Sequence, residues 1–455
     1  MNYQELEIRK PVINTSVSSK PRRIILQGNE YTDGIPASLA ARNNGIRLST
    51  ESGTFYMNND DLSTGLGVIG ATGNGKTTFF FNLLDGILPY LGEDDVVFIF
   101  DSKGDYKERY YSRNNPDHII ISQKSADYPY ARNWNIFGEL IDENGMFGPD
   151  TEIIAGEISK ALFKGMESDS QPFFNLAADD IFNKVLQVFV RDAKRTRDYS
   201  QLNNEFLIDY VSSVSNQDLL SRLCQYKDFT YLQSYVGNGQ SNQALGVYGY
   251  LMSMKNRSFI SSLRHKLPSG EFSIRRLVRE KGRKIVFLEY DVKYSEVLSN
   301  VFSLFFDLAI KEALSGGNGK TRKGNTYFVC DELNLIPNVS HFEELLNFGR
   351  SNGCKTMVGI QSVSQLEKNY GEAEADSILA GLLTAVCFNC VDYPTREYIK
   401  KRFGETFEAY NFGGSNITRE GFTVTDSDII NLRVGEAFID MKHTLPFKVR
   451  FTDNG

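Results

Sequence analysis

Three things are scarce in this sequence. No apolar run approaches the ~18–20 residues that span a bilayer. The longest, "ILAGLLTAVCFNC" at 378–390 and "VFSLFFDLAI" at 301–310, have the length of core segments. The opening stretch, "MNYQELEIRKPVINTSVSSKPRR", has no apolar centre, so no secretory leader is expected. Excess positive charge is missing too. Fifty Lys+Arg against 57 Asp+Glu leave a net charge of −7, which argues against a surface coated for nucleic acid but leaves room for a local basic channel. Cysteine is the third: five residues, scattered and odd in number, fit a reducing interior better than a disulfide framework. A cytoplasmic protein is expected.

What is present is ample apolar material, 41% of 455 residues, enough for roughly two to three domains. Residues 1–44 read as a polar N-terminal arm. Short strands follow at "IRLS", "TFYM" and "LGVIG", then "TTFFFNLLDGIL", a helix apolar on most faces until Pro89. "DVVFIFD" (95–101) is apolar without alternation, as strands covered on both faces are. Similar runs return at "KIVFLEY" (284–290), "NTYFVCDE" (325–332), "KTMVGIQS" (355–362) and "TAVCFNC" (384–390), separated by helical stretches. That alternation predicts an α/β fold with a doubly wound, mostly parallel sheet. The region 151–275 has helical spacing instead, with Pro172 placed to start a long helix, and reads as an all-α domain inserted between 45–150 and 276–455.

One segment carries explicit chemistry. Gly70-Ala71-Thr72-Gly73-Asn74-Gly75-Lys76-Thr77, continuing into Thr78, fits the pattern G-x-x-x-x-G-K-[ST] between a strand and a helix. Its glycines let backbone N–H groups converge on phosphate oxygens, Lys76 meets the β/γ charge, and the Thr77 hydroxyl is placed for Mg²⁺. A second half is offered by "NTYFVCDELN". Asp331 ends a strand and can hold the metal shell, and Glu332 beside it can orient and deprotonate water, which points to hydrolysis. Lys76 and Asp331 are 331 − 76 = 255 positions apart, the spacing of a motor core interrupted by an inserted domain. Farther on, Arg350 ends a helix and Gln361 ends a strand, where subunits of a ring would meet.

Taken in order, these segments resemble the type IV secretion coupling proteins, the TraG/TraD-like conjugative DNA-transfer ATPases. The resemblance spans about 45–450. It rests on "VIGATGNGKTT", "FIFDSKGDY", "PFFNLAADDIF", "FVCDELNLIP", "NFGRSNGCKTMVGIQSVSQLEKNYG" and "TAVCFNCVDYPTREYIKKRFG". It implies a RecA-like P-loop NTPase assembled as a hexameric ring that hydrolyses ATP with Mg²⁺ and feeds DNA, single-stranded or as nucleoprotein, toward an export channel. Thr77 and Asp331 are then metal-holding, Glu332 is the catalytic carboxylate, Arg350 a finger acting on a neighbour, and Gln361 a sensor. Asp101 and Lys103 fall in a segment where the family has Asp-Pro-Lys-Gly-Glu and this chain has serine for proline. Family members usually begin with membrane-spanning helices. None is read here, so either a separate membrane or channel component recruits the ring to the inner face of the membrane, with a relaxase or accessory protein as a further partner, or the protein has left the channel for another task.

Two other readings use the same residues: a motor that delivers protein cargo, and a scaffold whose nucleotide only gates assembly. Cys387 and Cys390 form a C-x-x-C, but a single pair in an apolar strand with no supporting histidines reads as core packing. The basic runs "RDAKRTR" (191–197) and "RRLVREKGRK" (275–284) read as solvated helix faces.

Overall fold

The computed structural model describes residues 22–452, except 143, 167–171, 316–323, 337–338 and 413–414. Its centre is a ten-stranded sheet. In chain order the strands are β1 (Thr32–Asp33), β2 (Leu66–Ile69), β3 (Val96–Asp101), β4 (His118–Ile121), β5 (Lys284–Glu289), β6 (Thr326–Cys330), β7 (Cys354–Ile360), β8 (Thr384–Phe388), β9 (Glu436–Asp440) and β10 (Phe447–Arg450). Across the sheet they run β1-β10-β9-β8-β2-β7-β6-β3-β5-β4. The seven from β8 to β4 are all parallel, while β9 and β10 close one side antiparallel.

The apolar run in β3 shows why this sheet is covered twice. Val96, Phe98 and Phe100 enter one hydrophobic cluster, and Val97 and Ile99 enter the other, because successive strand side chains point to opposite faces. Helix α1 (Lys76–Ile87) covers the second face with Phe79, Phe80, Leu83 and Leu84. Each such side chain contributes roughly 1.5–3 kcal/mol on burial. Packing therefore places this helix more than propensity, since Thr and Phe are indifferent helix formers. A hairpin, Ile46–Thr50 with Gly53–Met57, packs beside it.

The first face is covered by helices. Among the described residues no strand occurs between the short strands Asn133–Trp134 and Glu271–Phe272, which pair with each other in parallel. Between them run α2 (Thr151–Phe163), α3 (Pro172–Thr196), shorter helices and α4 (Asn242–Ser258). The long helix starts on Pro172, as expected. The helical segment leaves and returns at one neck, where fully buried Glu139 accepts hydrogen bonds from Trp134 Nε1, Ser273 Oγ and the Ile274 and Arg275 N–H groups. Helix α5 (Ser295–Leu314) lies under the sheet, with Phe302 and Phe306 about Phe100 at 6.1 and 6.0 Å.

Two readings change in detail. Residues 22–28, expected within a polar arm, form a strand that pairs with Glu405–Phe412, itself paired with Ser415–Phe422. That pairing spans nearly the whole chain, so local composition could not display it; residues 1–21 lie outside the described residues. The basic runs are more engaged than solvated faces would be. Arg191 bridges Glu152 and Asp228, and Arg275 and Arg279 share buried Glu312.

Candidate active site

The glycine turn leaves the C-terminal end of β2 and is braced from both neighbouring strands. The Gly70 N–H donates to Ile360 O at 3.1 Å, at the end of β7. Ala71 N–H and Asn74 Nδ2 both donate to Asn389 O, just past β8, at 2.9 and 3.0 Å. Gly75 has φ 111°, and a Cβ there would press on the Phe388 ring at 3.3 Å, so the start of α1 requires glycine. Thr72 and Gly73 are the exposed tip of the turn. Lys76, Thr77 and Thr78 open α1, whose first-turn N–H groups have no partner within the helix. The Lys76 ammonium is buried and donates to Gly70 O at 2.7 Å and Ala71 O at 3.3 Å. Burial lowers its pKa, against the pull of Asp331 and Glu332.

The two halves of the expected site meet. Thr77 Oγ1 donates to Asp331 Oδ2 at 2.7 Å, across 254 positions of sequence. Asp331 is only 6% exposed, and its other oxygen, Oδ1, is buried and makes no well-formed hydrogen bond. Burial raises its pKa, opposed by the Thr77 hydroxyl, the Lys76 charge and the nearby Tyr106 hydroxyl. A carboxylate oxygen with spare accepting capacity beside a hydroxyl is a hard-oxygen pair of the type Mg²⁺ takes, so these residues fit the metal that the motif implies. The strand carrying Asp331 is not the immediate neighbour of the strand that enters the turn: β7 lies between them. Close spacing there depends on Gly359, since a Cβ at that position would lie 1.9 Å from Asp331 O.

Glu332 sits beside Asp331 and accepts from Lys103 Nζ at 2.6 Å. The serine-for-proline segment thus reaches the site through its lysine. Asp101 does not; its carboxylate accepts the N–H groups of Lys103, Gly104 and Lys107 at 3.3, 2.7 and 2.9 Å and fixes the loop. Gln361 follows the end of β7, level with Gly70, between the turn and Asp331. Arg350 lies elsewhere. It is exposed in the 3₁₀ turn Gly349–Asn352, before the start of β7, at the opposite edge of the sheet. Seven strand residues put it ~20 Å from the turn, beyond reach of its own chain's site.

Other contributors were not singled out from the sequence. Asn389 braces the turn, and the buried Tyr106 hydroxyl lies against the Asp331 carboxyl and helps to hold its charge. Glycine inside the apolar strand "KTMVGIQ" was a legible sign of close backbone approach; Asn389 and Tyr106 gave none. At the end of β5, next to Asp101, buried Glu289 accepts from Lys124 Nζ at 2.7 Å, and burial pushes its pKa up to about 7. Cys387 and Cys390 are both buried in one cluster. Positions three apart on one strand would face opposite sides, but β8 ends at Phe388, so the turn at Asn389 brings both thiols to the same core.

Residues 51–451 match the model of the type IV secretion-system coupling protein DNA-binding domain. Coupling protein TraD of Escherichia coli K12 is 25% identical over 338 residues, 72% of this chain and 43% of TraD. The chain thus spans less than half the length of that relative. The unbound structure of the bacterial conjugative coupling protein TrwBdeltaN70 aligns with TM-score 0.73 at 18% identity, covering 96% of each chain. TrwB in complex with ADP and Mg²⁺ aligns at 0.71 and 18%, covering 96% of this chain and 98% of that one. These likenesses show a shared fold, the α/β RecA-like sheet with its all-α domain. No helix among the described residues is long and apolar enough to cross a membrane. With the family model matched over most of its length, the chain belongs to the type IV secretion-system coupling proteins.

Proposed function

We propose that this protein is a Mg²⁺-dependent ATPase that works as a hexameric ring and moves DNA or nucleoprotein toward a type IV secretion channel. The observation that carries the enzymatic part is the Thr77–Asp331 hydrogen bond, which joins the phosphate turn to a buried carboxylate whose Oδ1 makes no well-formed hydrogen bond. The cargo follows from the family, whose model describes a DNA-binding domain, and from relatives named for coupling and conjugal transfer.

In this reading the backbone N–H groups of 72–78 and the Lys76 ammonium hold the triphosphate, while the Ala71 N–H, expected among them, stays on Asn389 O and braces the turn. Lys76 can swing from Gly70 O to the β/γ oxygens because the carbonyl bond it gives up is replaced by a stronger, charge-assisted one. Thr77 and Asp331 hold Mg²⁺, which supplies charge neutralisation on the phosphates. Glu332 takes the proton of the attacking water, and Gln361, level with Gly70, lies where it can register the γ-phosphate. Arg350 serves a neighbouring copy, since its own site is out of reach. Residues 151–275 form the inserted unit between the two motor segments.

The test is ATPase rate against added DNA, with Glu332→Gln as the blank. Stimulation by oligonucleotide that fades as salt rises is expected, because phosphate contacts release counterions. Equal rates with and without DNA at low salt would refute the DNA reading.

A further inference from the structure

Two half-exposed lysines stand side by side at the C-terminal edge of the sheet, and each is paired with an acid. Lys103 is 45% exposed and holds Glu332 at 2.6 Å; Lys124 is 40% exposed and holds Glu289 at 2.7 Å. They are neighbours, because a Cβ on Gly104, the residue after Lys103, would lie 3.9 Å from Lys124 Nζ. Behind them the backbone is fixed by the three N–H bonds to Asp101. Lys107 is committed to Asp127 at 2.6 Å. The movable parts of this edge are therefore two ammonium groups on long stems, and one of them rests on the carboxylate placed for catalysis.

We propose that Lys103 and Lys124 form a binding pair for the phosphodiesters of a nucleic-acid strand, and that Lys103, in moving from Glu332 to a strand phosphate, frees that carboxylate to act on water. This deepens the reading above and rests on its DNA cargo. The exchange is easy energetically. The Lys103 ammonium is 45% exposed and Glu332 18%, so this pair is screened by water and weak, and contact with a polyanion also releases counterions. While Lys103 is bound, one Glu332 oxygen is occupied by its ammonium; once it leaves, that oxygen can accept a proton from water. Stimulation of hydrolysis by DNA then needs no rearrangement of the fold, only one side chain changing partner.

The experiment is a binding cycle with a fluorescent oligo-dT and no nucleotide, at several salt concentrations, on wild type, K103A, E332Q and K103A/E332Q. Freed of its partner in E332Q, Lys103 should bind the strand about two- to fivefold more tightly than in wild type, on the scale of an exposed ion pair. The salt slope should steepen by roughly 0.7, the value of one single-strand phosphate contact. K103A should bind more weakly, and K103A/E332Q should match K103A. K124Q should also bind more weakly yet keep the gain from E332Q, which controls for misfolding at position 103. In the hydrolysis assay, K103A should run faster than wild type without DNA and show a stimulation ratio near one.

A gain from E332Q that persists in the K103A background would mean simple loss of a repelling charge and would overturn the proposal. So would no gain at all, or a K103A variant that loses nucleotide affinity while binding oligo-dT normally, which would place Lys103 on the nucleotide. If wild type itself fails to bind oligo-dT, the DNA reading falls along with this one. If wild type binds and is stimulated but the cycle shows no coupling, only the lysine pair is wrong.

Discussion

Alanine at position 359 would put a methyl carbon 1.9 Å from the Asp331 carbonyl oxygen. Real contacts of this type do not fall below 3.0 Å, so β6 and β7 must part locally by about 1.1 Å. The obstructing atom is backbone in the middle of a parallel sheet, and no side chain can turn aside to relieve it. Overpacking typically costs 1–3 kcal/mol, and with no flexible neighbour the expected loss is about 3 kcal/mol. For a chain of this length that is a fall of ~3 °C in Tm, at about 1 °C per kcal/mol. The chemistry should suffer more. Thr77 Oγ1 and Asp331 Oδ2 are 2.7 Å apart, and an added ångström takes that pair outside hydrogen-bond range. Misplacement of about 1 Å costs on the order of 10²-fold in rate. The assay pairs thermal unfolding with Mg²⁺-dependent ATP hydrolysis, using Gly249→Ala as control. Gly249 lies in α4 with nothing near its Cβ direction, so alanine there should be neutral or stabilising by up to about 1 kcal/mol. A Gly359→Ala protein that hydrolyses within threefold of wild type (roughly a tenth or less of the expected effect) would refute the account of how Asp331 is held.

Thr77→Val keeps the shape of threonine but takes the donor from buried Asp331 Oδ2. It should lower stability by about 2 kcal/mol and abolish Mg²⁺-dependent hydrolysis, whereas Thr77→Ser should retain both; equal melting of the valine and serine forms would contradict this. Arg350→Ala should bind nucleotide normally yet fail to hydrolyse it, and mixing it with Lys76→Ala protein should restore part of the rate. No recovery at any mixing ratio would argue against a site shared between copies. Glu289 has a folded pKa near 7, above its unfolded value, through burial, so it binds more protons folded than unfolded and its contribution to stability falls as pH rises from about 4.5 to about 7. Glu289→Gln removes that slope: relative to wild type it should gain on the order of 2 kcal/mol between pH 5 and pH 8, and parallel denaturation midpoints across that range would disprove the assignment.

Much of the sheet was legible because its strands are short, apolar on both faces and rich in branched and aromatic residues, as in "VVFIFD". The phosphate turn was legible because its glycines, lysine and threonine lie next to one another. Asp331 and Glu332 could be chosen because an acidic pair closes an apolar strand. Where contacts join distant segments, the reading stopped. Nothing near residue 22 announces a partner at 411, and nothing near Lys103 announces Glu332, 229 positions away. Asn389 acts mainly through its carbonyl, which any residue type supplies, so its identity carries little signal. Arg350 and Gln361 were set together as a meeting edge from their spacing. The fold sends them to opposite ends of β7, because a helix end before a strand and an amide after it are separated by that strand's full length.

That separation has a mechanical side. The strand β7 is buried at all seven positions and hydrogen-bonded to parallel partners on both flanks. It has no bulge or hinge along which a push could dissipate, and a close-packed interior compresses little. It behaves as a stiff rod, with Gln361 at its tip, level with the phosphate turn, and exposed Arg350 just before its other end. In a closed circle of copies, an ångström of travel at the tip would arrive as an ångström at the next chamber, so the firing order would be written into a single extended segment.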